Sequence, residues 1–166
     1  AYTETNFNFL ATEIKHISFE EQKYLENLSN ASAYRNIFLS IAVSIRKDVS
    51  RSNSQRAEFA TLMDNPLMKD ESHARSFLAK VLYHRIWSIY YFSISNFEQF
   101  HLSSSNLLKI MESNERMMEE DVSEYISALN NHIISCGRLA KVEEVRETLD
   151  KLIKVKPITG DDEVKI

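Results

Sequence analysis

Glycine, proline and cysteine are scarce in this chain: 2 Gly, 2 Pro and 1 Cys among 166 residues. Average usage would supply roughly 12 Gly and 8 Pro. Hairpin turns need residues that accept positive φ, so the glycine shortage argues against a strand-rich sandwich or barrel. Gly137 and Gly160 are too far apart to form a dinucleotide fingerprint or a phosphate loop. Cys136 stands alone, which excludes an internal disulfide and gives no support to a cysteine-based zinc site. A lone thiol is compatible with a reducing cytosol, and a cytoplasmic location is expected. Long apolar runs are missing too. The longest, Ile37 to Ile45, is interrupted by Ser40 and Ser44 and falls well short of the ~20 residues that span a bilayer. The first residue is Ala1 rather than Met, so a fragment of a longer chain is expected.

What is present is 43% hydrophobic and 27% charged, with 20 basic against 24 acidic residues and a net charge of −4. Such a chain is too apolar to be disordered and long enough for one core. Basic residues alternate with acidic ones: Arg138, Lys141, Arg146, Lys151 and Lys154 share a segment with Glu143, Glu144, Glu147 and Asp150. This is a solvated helix face with i,i+4 pairs, not a phosphate-binding patch. Arg46, Lys47, Arg51 and Arg56 form the only net-basic stretch, and no nucleic-acid partner is expected.

Apolar spacing predicts helices throughout. Residues 1–66 read as N-terminal helices. Residues 1–30 read as one helix or two: Phe7, Leu10, Ile14 and Ile17 have helical spacing, Ser18 and Glu21 match a capping box that starts a helix, and the next helix is predicted from about Ser32 to Lys47. A shorter helix follows to about Met63 and stops at Asp64-Asn65-Pro66. From Asp70 to Ile94 the pattern is apolar most of the way round, predicting a helix covered on several sides. Helices then follow from Phe97 to Met111, from about Ser113 to Cys136 with Gly137 as its left-handed cap, and from Leu139 to Pro157.

Sliding the chain on itself aligns residues at a shift of 42. Tyr83 falls on Tyr125, Trp87 on Leu129, Ser95 on Gly137, Phe97 on Leu139 and Leu107 on Leu149. Residues 70–157 therefore read as two helical hairpins, which bury their faces by stacking. With Tyr91 and Phe97 flanking the first turn, and Gly137 and Pro157 at the second turn and the end, this half resembles the tetratricopeptide family. In style it is similar to divergent members from Bacteroidota. Ser88, Asn130, Ser95, Phe100 and Val142 depart from the family pattern, and 42 exceeds the usual ~34. Composition and spacing imply a single all-α domain over residues 1–166; the resemblance, which covers Phe77 to Pro157, implies antiparallel hairpins stacked as a short right-handed α-solenoid. It also implies that Arg85, Ile89, Phe92, Ser127 and Asn131 face a partner-binding groove.

Chemistry is thinly represented. None of the five histidines pairs with another at i,i+4, and Ser103, Ser104 and Ser105 lack a nucleophile-elbow glycine. His132 and Cys136 are i,i+4 and in principle share a metal or form a thiolate–imidazole pair, but they read more simply as buried residues at a helix end. The acidic runs Glu119–Asp121 and Asp161–Glu163 lack calcium-loop spacing. Met111, Met117 and Met118 read as gap fillers, and the aromatic set Tyr83 to Phe100 as hairpin core. No catalytic residue, cofactor or metal is expected. The expected function is a non-enzymatic module that binds a protein or peptide, with self-association left open. The alternative is a helical regulatory or sensor domain of a larger signalling or transcription protein.

Overall fold

The computed structural model describes residues 2–47, 53–156 and 160; for 2–9, 46–47, 53–56 and 117 it describes the backbone alone. The basic stretch at Arg46, Lys47, Arg51 and Arg56, the Met117 side chain, Pro157 and the acidic run at 161–163 thus lie outside what is described. The described residues form seven α-helices and no strand: α1 Tyr2–Lys47, α2 Asn53–Met63, α3 Phe77–Ser93, α4 Phe97–Glu112, α5 Glu115–Glu120, α6 Val122–Arg138 and α7 Val142–Lys154. Short 3-10 turns at Pro66–Met68 and Glu71–His73 connect α2 to α3. Among the described residues no helix is long and apolar enough to cross a membrane.

The first 65 residues contain neither Pro nor Gly, and α1 runs through Ser18 and through the separate start predicted at about Ser32 as one helix of 46 residues. The capping box is overridden because nothing before it breaks the i→i−4 ladder. Tyr34, Ile37 and Ile41 of the second half are buried, whereas Leu10, Ile14, Ile17, Phe19, Tyr24, Leu25 and Leu28 are all more than half exposed. Pro66 acts as expected: α2 ends before it, and Asn65 Oδ1 accepts from Leu67 N–H at 3.0 Å to cap the turn.

Two cores meet at α3. One packs Ala31, Tyr34, Ile37 and Ile41 with Phe59, Met63, Met68, Leu82 and Ile86; the Tyr34 hydroxyl donates to Leu67 O at 2.7 Å. The other packs Val81 with Leu107, Leu108, Met111, Ile126, Leu129 and Leu152. Adjacent Val81 and Leu82 serve opposite cores, which is why α3 is apolar nearly all round. Its predicted start at Asp70 moves to Phe77: Ser76 accepts from Ala79 N–H, and the preceding residues form a 3-10 turn instead. The helix predicted from Ser113 divides at Asp121, whose carboxylate accepts from Glu124 N–H and starts α6.

The aromatic set is cohesive. Trp87 stacks on Tyr91 with ring centres 5.0 Å apart, Tyr90 meets Trp87 edge-on, and Phe92 packs on Phe100 at 5.3 Å.

Helices α3 and α4 form one hairpin, and α6 and α7 another, with α4 packed on α6. Both turns carry the same hydrogen bonds: Asn96 N–H to Tyr91 O and Ser95 N–H to Phe92 O in the first, Lys141 N–H to Cys136 O and Ala140 N–H to Gly137 O in the second. These are Schellman closures, with Ser95 (φ 60°) and Ala140 (φ 55°) in the left-handed position. The assignment of Gly137 as that cap is therefore corrected. Gly137 lies within α6 at negative φ, and the register of the two hairpins is 45 (77 to 122, 97 to 142) in place of 42. At 45, buried Val81 matches buried Ile126, and Leu107 matches Leu152, whereas Leu149, the earlier match for Leu107, is more than a third exposed.

Candidate functional site

The most concentrated chemistry lies where the two hairpins meet. α6 supplies His132 and Cys136 on successive turns, both buried. α4 supplies His101 and Ser104, and the first turn of α7 supplies Glu144, with Lys141 immediately before that helix. One ligand atom from each of His101, His132, Cys136 and Glu144 lies within 4.8 Å of the other three.

Ser104 orients the His132 ring, with Ser135 Oγ 3.1 Å from Ser104 Oγ. Ser104 Oγ donates to His101 O at 2.9 Å and Ser135 Oγ to His132 O at 2.7 Å, so each hydroxyl proton is engaged by a carbonyl. Ser104 Oγ, 3.0 Å from His132 Nδ1, is then the acceptor, which assigns the ring proton to Nδ1. The lone pair on Nε2 points at Cys136 Sγ, 3.5 Å away. On the other side, Glu144 Oε2 lies 2.7 Å from His101 Nε2 and 3.8 Å from Cys136 Sγ. Lys141 Nζ donates to Glu144 Oε1 at 2.7 Å and lies 3.3 Å from His101 Nε2.

Burial, reinforced by His101, lowers the pKa of His132 to about 4. Burial and the Glu144 carboxylate raise that of Cys136, while the hydrogen bonds from Lys141 and His101 lower Glu144 to about 2. At neutral pH the cluster therefore holds a thiol, a neutral imidazole, a carboxylate and an ammonium. A thiolate–imidazolium nucleophile is the opposite arrangement. A cavity of about 240 Å³ beside His132 and Glu144, lined also by Glu112, Glu147 and Thr148, gives access between α4, α6 and α7.

A second feature is a cavity of about 320 Å³ against α1, α3 and α6, with Phe38, Leu39, Leu78, Val81 and Leu82 as walls and Arg35, Asp121 and Glu124 among its charged groups. Arg85 lines it too, buried, ion-paired with Glu124 and 5.7 Å from the Phe38 ring centre. Ser127 and Asn131 continue the Glu124 stripe of α6 by helical spacing, as Ile89 and Phe92 continue that of Arg85 on α3. All four are partly buried; the Ser127 hydroxyl donates to Ser123 O at 2.8 Å, and Ile89 packs on the first core. His84, buried and held below its ordinary pKa by that burial, lies 3.2 Å from Glu71 and belongs to neither feature.

Of the cluster, sequence spacing signals His132 and Cys136 alone. His101 and Glu144 are 31 and 12 positions from His132 and arrive by tertiary packing. Compared with known proteins, the chain matches no family model, no curated protein and no solved structure.

Proposed function

We propose that the chain is a non-enzymatic helical module that captures a protein or peptide segment, its hairpins stacked as a short right-handed α-solenoid of tetratricopeptide-like kind. The 45-residue register with matching turns supports the stacking. That length falls within the ~40–47 residues of other helical-hairpin repeats. The observation that carries the binding reading is the 320 Å³ cavity, apolar in its walls and charged at Arg35, Arg85, Asp121 and Glu124. A pocket of that size accepts one large apolar side chain of a partner, while the charges select its neighbours. Leu39, half exposed, adjoins the cavity, and Ser127 and Asn131 extend the face along α6.

The test is affinity capture with mass spectrometry, using the wild type and two variants, Leu39→Glu and Asn131→Arg. A partner held by the wild type and lost from both variants, at unchanged melting temperature, supports the assignment. A partner set that neither substitution alters removes it. The exposed apolar residues of α1 from Leu10 to Leu28 favour the second reading, a regulatory or sensor domain that docks on further segments through that helix.

A further inference from the structure

We propose that His101, His132, Cys136 and Glu144 bind one first-row transition-metal ion, zinc by preference, in a closed four-ligand site that ties the first hairpin to the second. The proposal does not depend on partner capture at the α3–α6 face.

Geometry carries it. Bond lengths of ~2.0–2.3 Å place the donors of a tetrahedral zinc site about 3.3–3.7 Å apart. Three of the six separations here are 3.5 Å from Cys136 Sγ to His132 Nε2, 3.8 Å from Cys136 Sγ to Glu144 Oε2 and 3.9 Å from His132 Nε2 to Glu144 Oε2, and all lie within 4.8 Å, so that closing on an ion takes inward shifts of about an ångström or less. A fourth edge, 2.7 Å from His101 Nε2 to Glu144 Oε2, is a hydrogen bond that an ion would replace and widen. Two imidazoles, a thiolate and a carboxylate suit zinc and cobalt better than the hard, oxygen-seeking ions.

The surroundings match those of a metal ligand set. The Ser104 hydroxyl fixes His132 with its Nε2 lone pair turned inward, the role that outer hydrogen bonds play around metal-bound histidines. The turn delivering Glu144 departs from local helix rules. Lys141 occupies the N-cap of α7 without a capping hydrogen bond. At the matching turn, Asn96 does cap α4, accepting from Gln99 N–H. The Lys141 side chain instead reaches Glu144 and His101, where its ammonium supplies the positive charge that an ion would bring. Binding would release the Cys136 thiol proton, and the proton on His101 Nε2 where present, to solvent and swing Lys141 outward.

The experiment titrates the chain with Co2+ alone and records its electronic spectrum. One equivalent should give the intense visible bands of tetrahedral cobalt with a thiolate-to-metal charge-transfer band, and Zn2+ should erase both by displacement. Cys136→Ser should abolish the charge-transfer band, and Glu144→Gln should weaken binding roughly tenfold or more. A six-coordinate spectrum without charge transfer, or unaltered affinity in Cys136→Ser, overturns the site. Should Cys136→Ser not fold, maleimide labelling of the wild type decides, since Cys136 is the chain's one cysteine. Zn2+ takes up the thiolate that maleimide attacks and should slow that labelling; an unchanged rate overturns the site.

Discussion

Ser95 and Ala140 occupy the same left-handed position, at φ 60° and 55°, each one residue before the N-cap of a hairpin's second helix. A Cβ in that region carries a cost of roughly 1–2 kcal/mol that glycine avoids. Gly137, three residues earlier, sits in a helix where an added Cβ meets nothing within 4 Å. Exchanging them, as Gly137→Ala with Ala140→Gly, should therefore stabilise the chain by about 1–2 kcal/mol in urea denaturation. A destabilised double variant would show that the left-handed turn lies elsewhere.

The same pair shows what the sequence made legible. The all-helical class, the pause at Pro66, the α3–α4 turn at Ser95 and the cohesive role of the Trp87–Tyr91 rings all follow from local composition and spacing. The second turn does not, because tertiary packing holds Ala140 where propensity favours Gly137, and the register read from the glycine is short by three. For the same reason the site was half visible. His132 and Cys136 are paired by i,i+4 spacing but read from sequence as buried residues at a helix end, while His101 and Glu144 join them through packing of α4 and α7 on α6, which no local pattern encodes.

Acid should weaken the metal-free fold in a defined window. The His132 pKa falls from 6.5 in the unfolded chain to about 4 in the folded one, so the unfolded state binds the additional proton. Its contribution is fully present above pH 6.5 and is lost as pH falls towards 4. Between pH 7 and 5 the loss should be about 2 kcal/mol. Burial of His84 acts in the same direction, and Glu144 adds a further loss only below pH 4.5, towards 2. Denaturation with a chelator present measures this, and His132→Gln should flatten most of the slope. Equal stability at pH 7 and 5 in the wild type would mean that His132 takes up a proton without strain.

The stretch of α1 from Leu10 to Leu28 makes a separate demand. Leu10, Ile14, Ile17, Tyr24 and Leu28 follow alternating steps of four and three, with Glu21 at the intervening position, and all five apolar residues are more than half exposed. That spacing matches the a and d positions of a two-stranded coiled coil with one polar position. Sedimentation equilibrium should show reversible self-association at micromolar concentrations, abolished by Ile14→Glu with Ile17→Glu. Because neither side chain contributes to the cores, the melting temperature of the dissociated form should stay within a degree or two of the wild type at low concentration, in keeping with ~0.5 kcal/mol for surface changes. A wild type that is monomeric throughout would exclude the coiled coil.

Lys141 is where the turn and the cluster can be separated experimentally. Its ammonium holds Glu144 and His101 while leaving the start of α7 uncapped, whereas Asn96 caps α4 at the matching position. Lys141→Asn should therefore restore a cap worth about 0.5–1 kcal/mol and remove an exposed ion pair worth less than about 1 kcal/mol, leaving metal-free stability little changed or slightly raised. Removing the competing cation from two of the four donors should at the same time tighten Co2+ binding, by roughly tenfold if the ammonium contributes ~1.4 kcal/mol of competition. Calorimetric titration of both forms checks this. Weaker binding in Lys141→Asn would mean that the ammonium organises Glu144 for the ion, so that lysine and metal act together at the junction of the two hairpins.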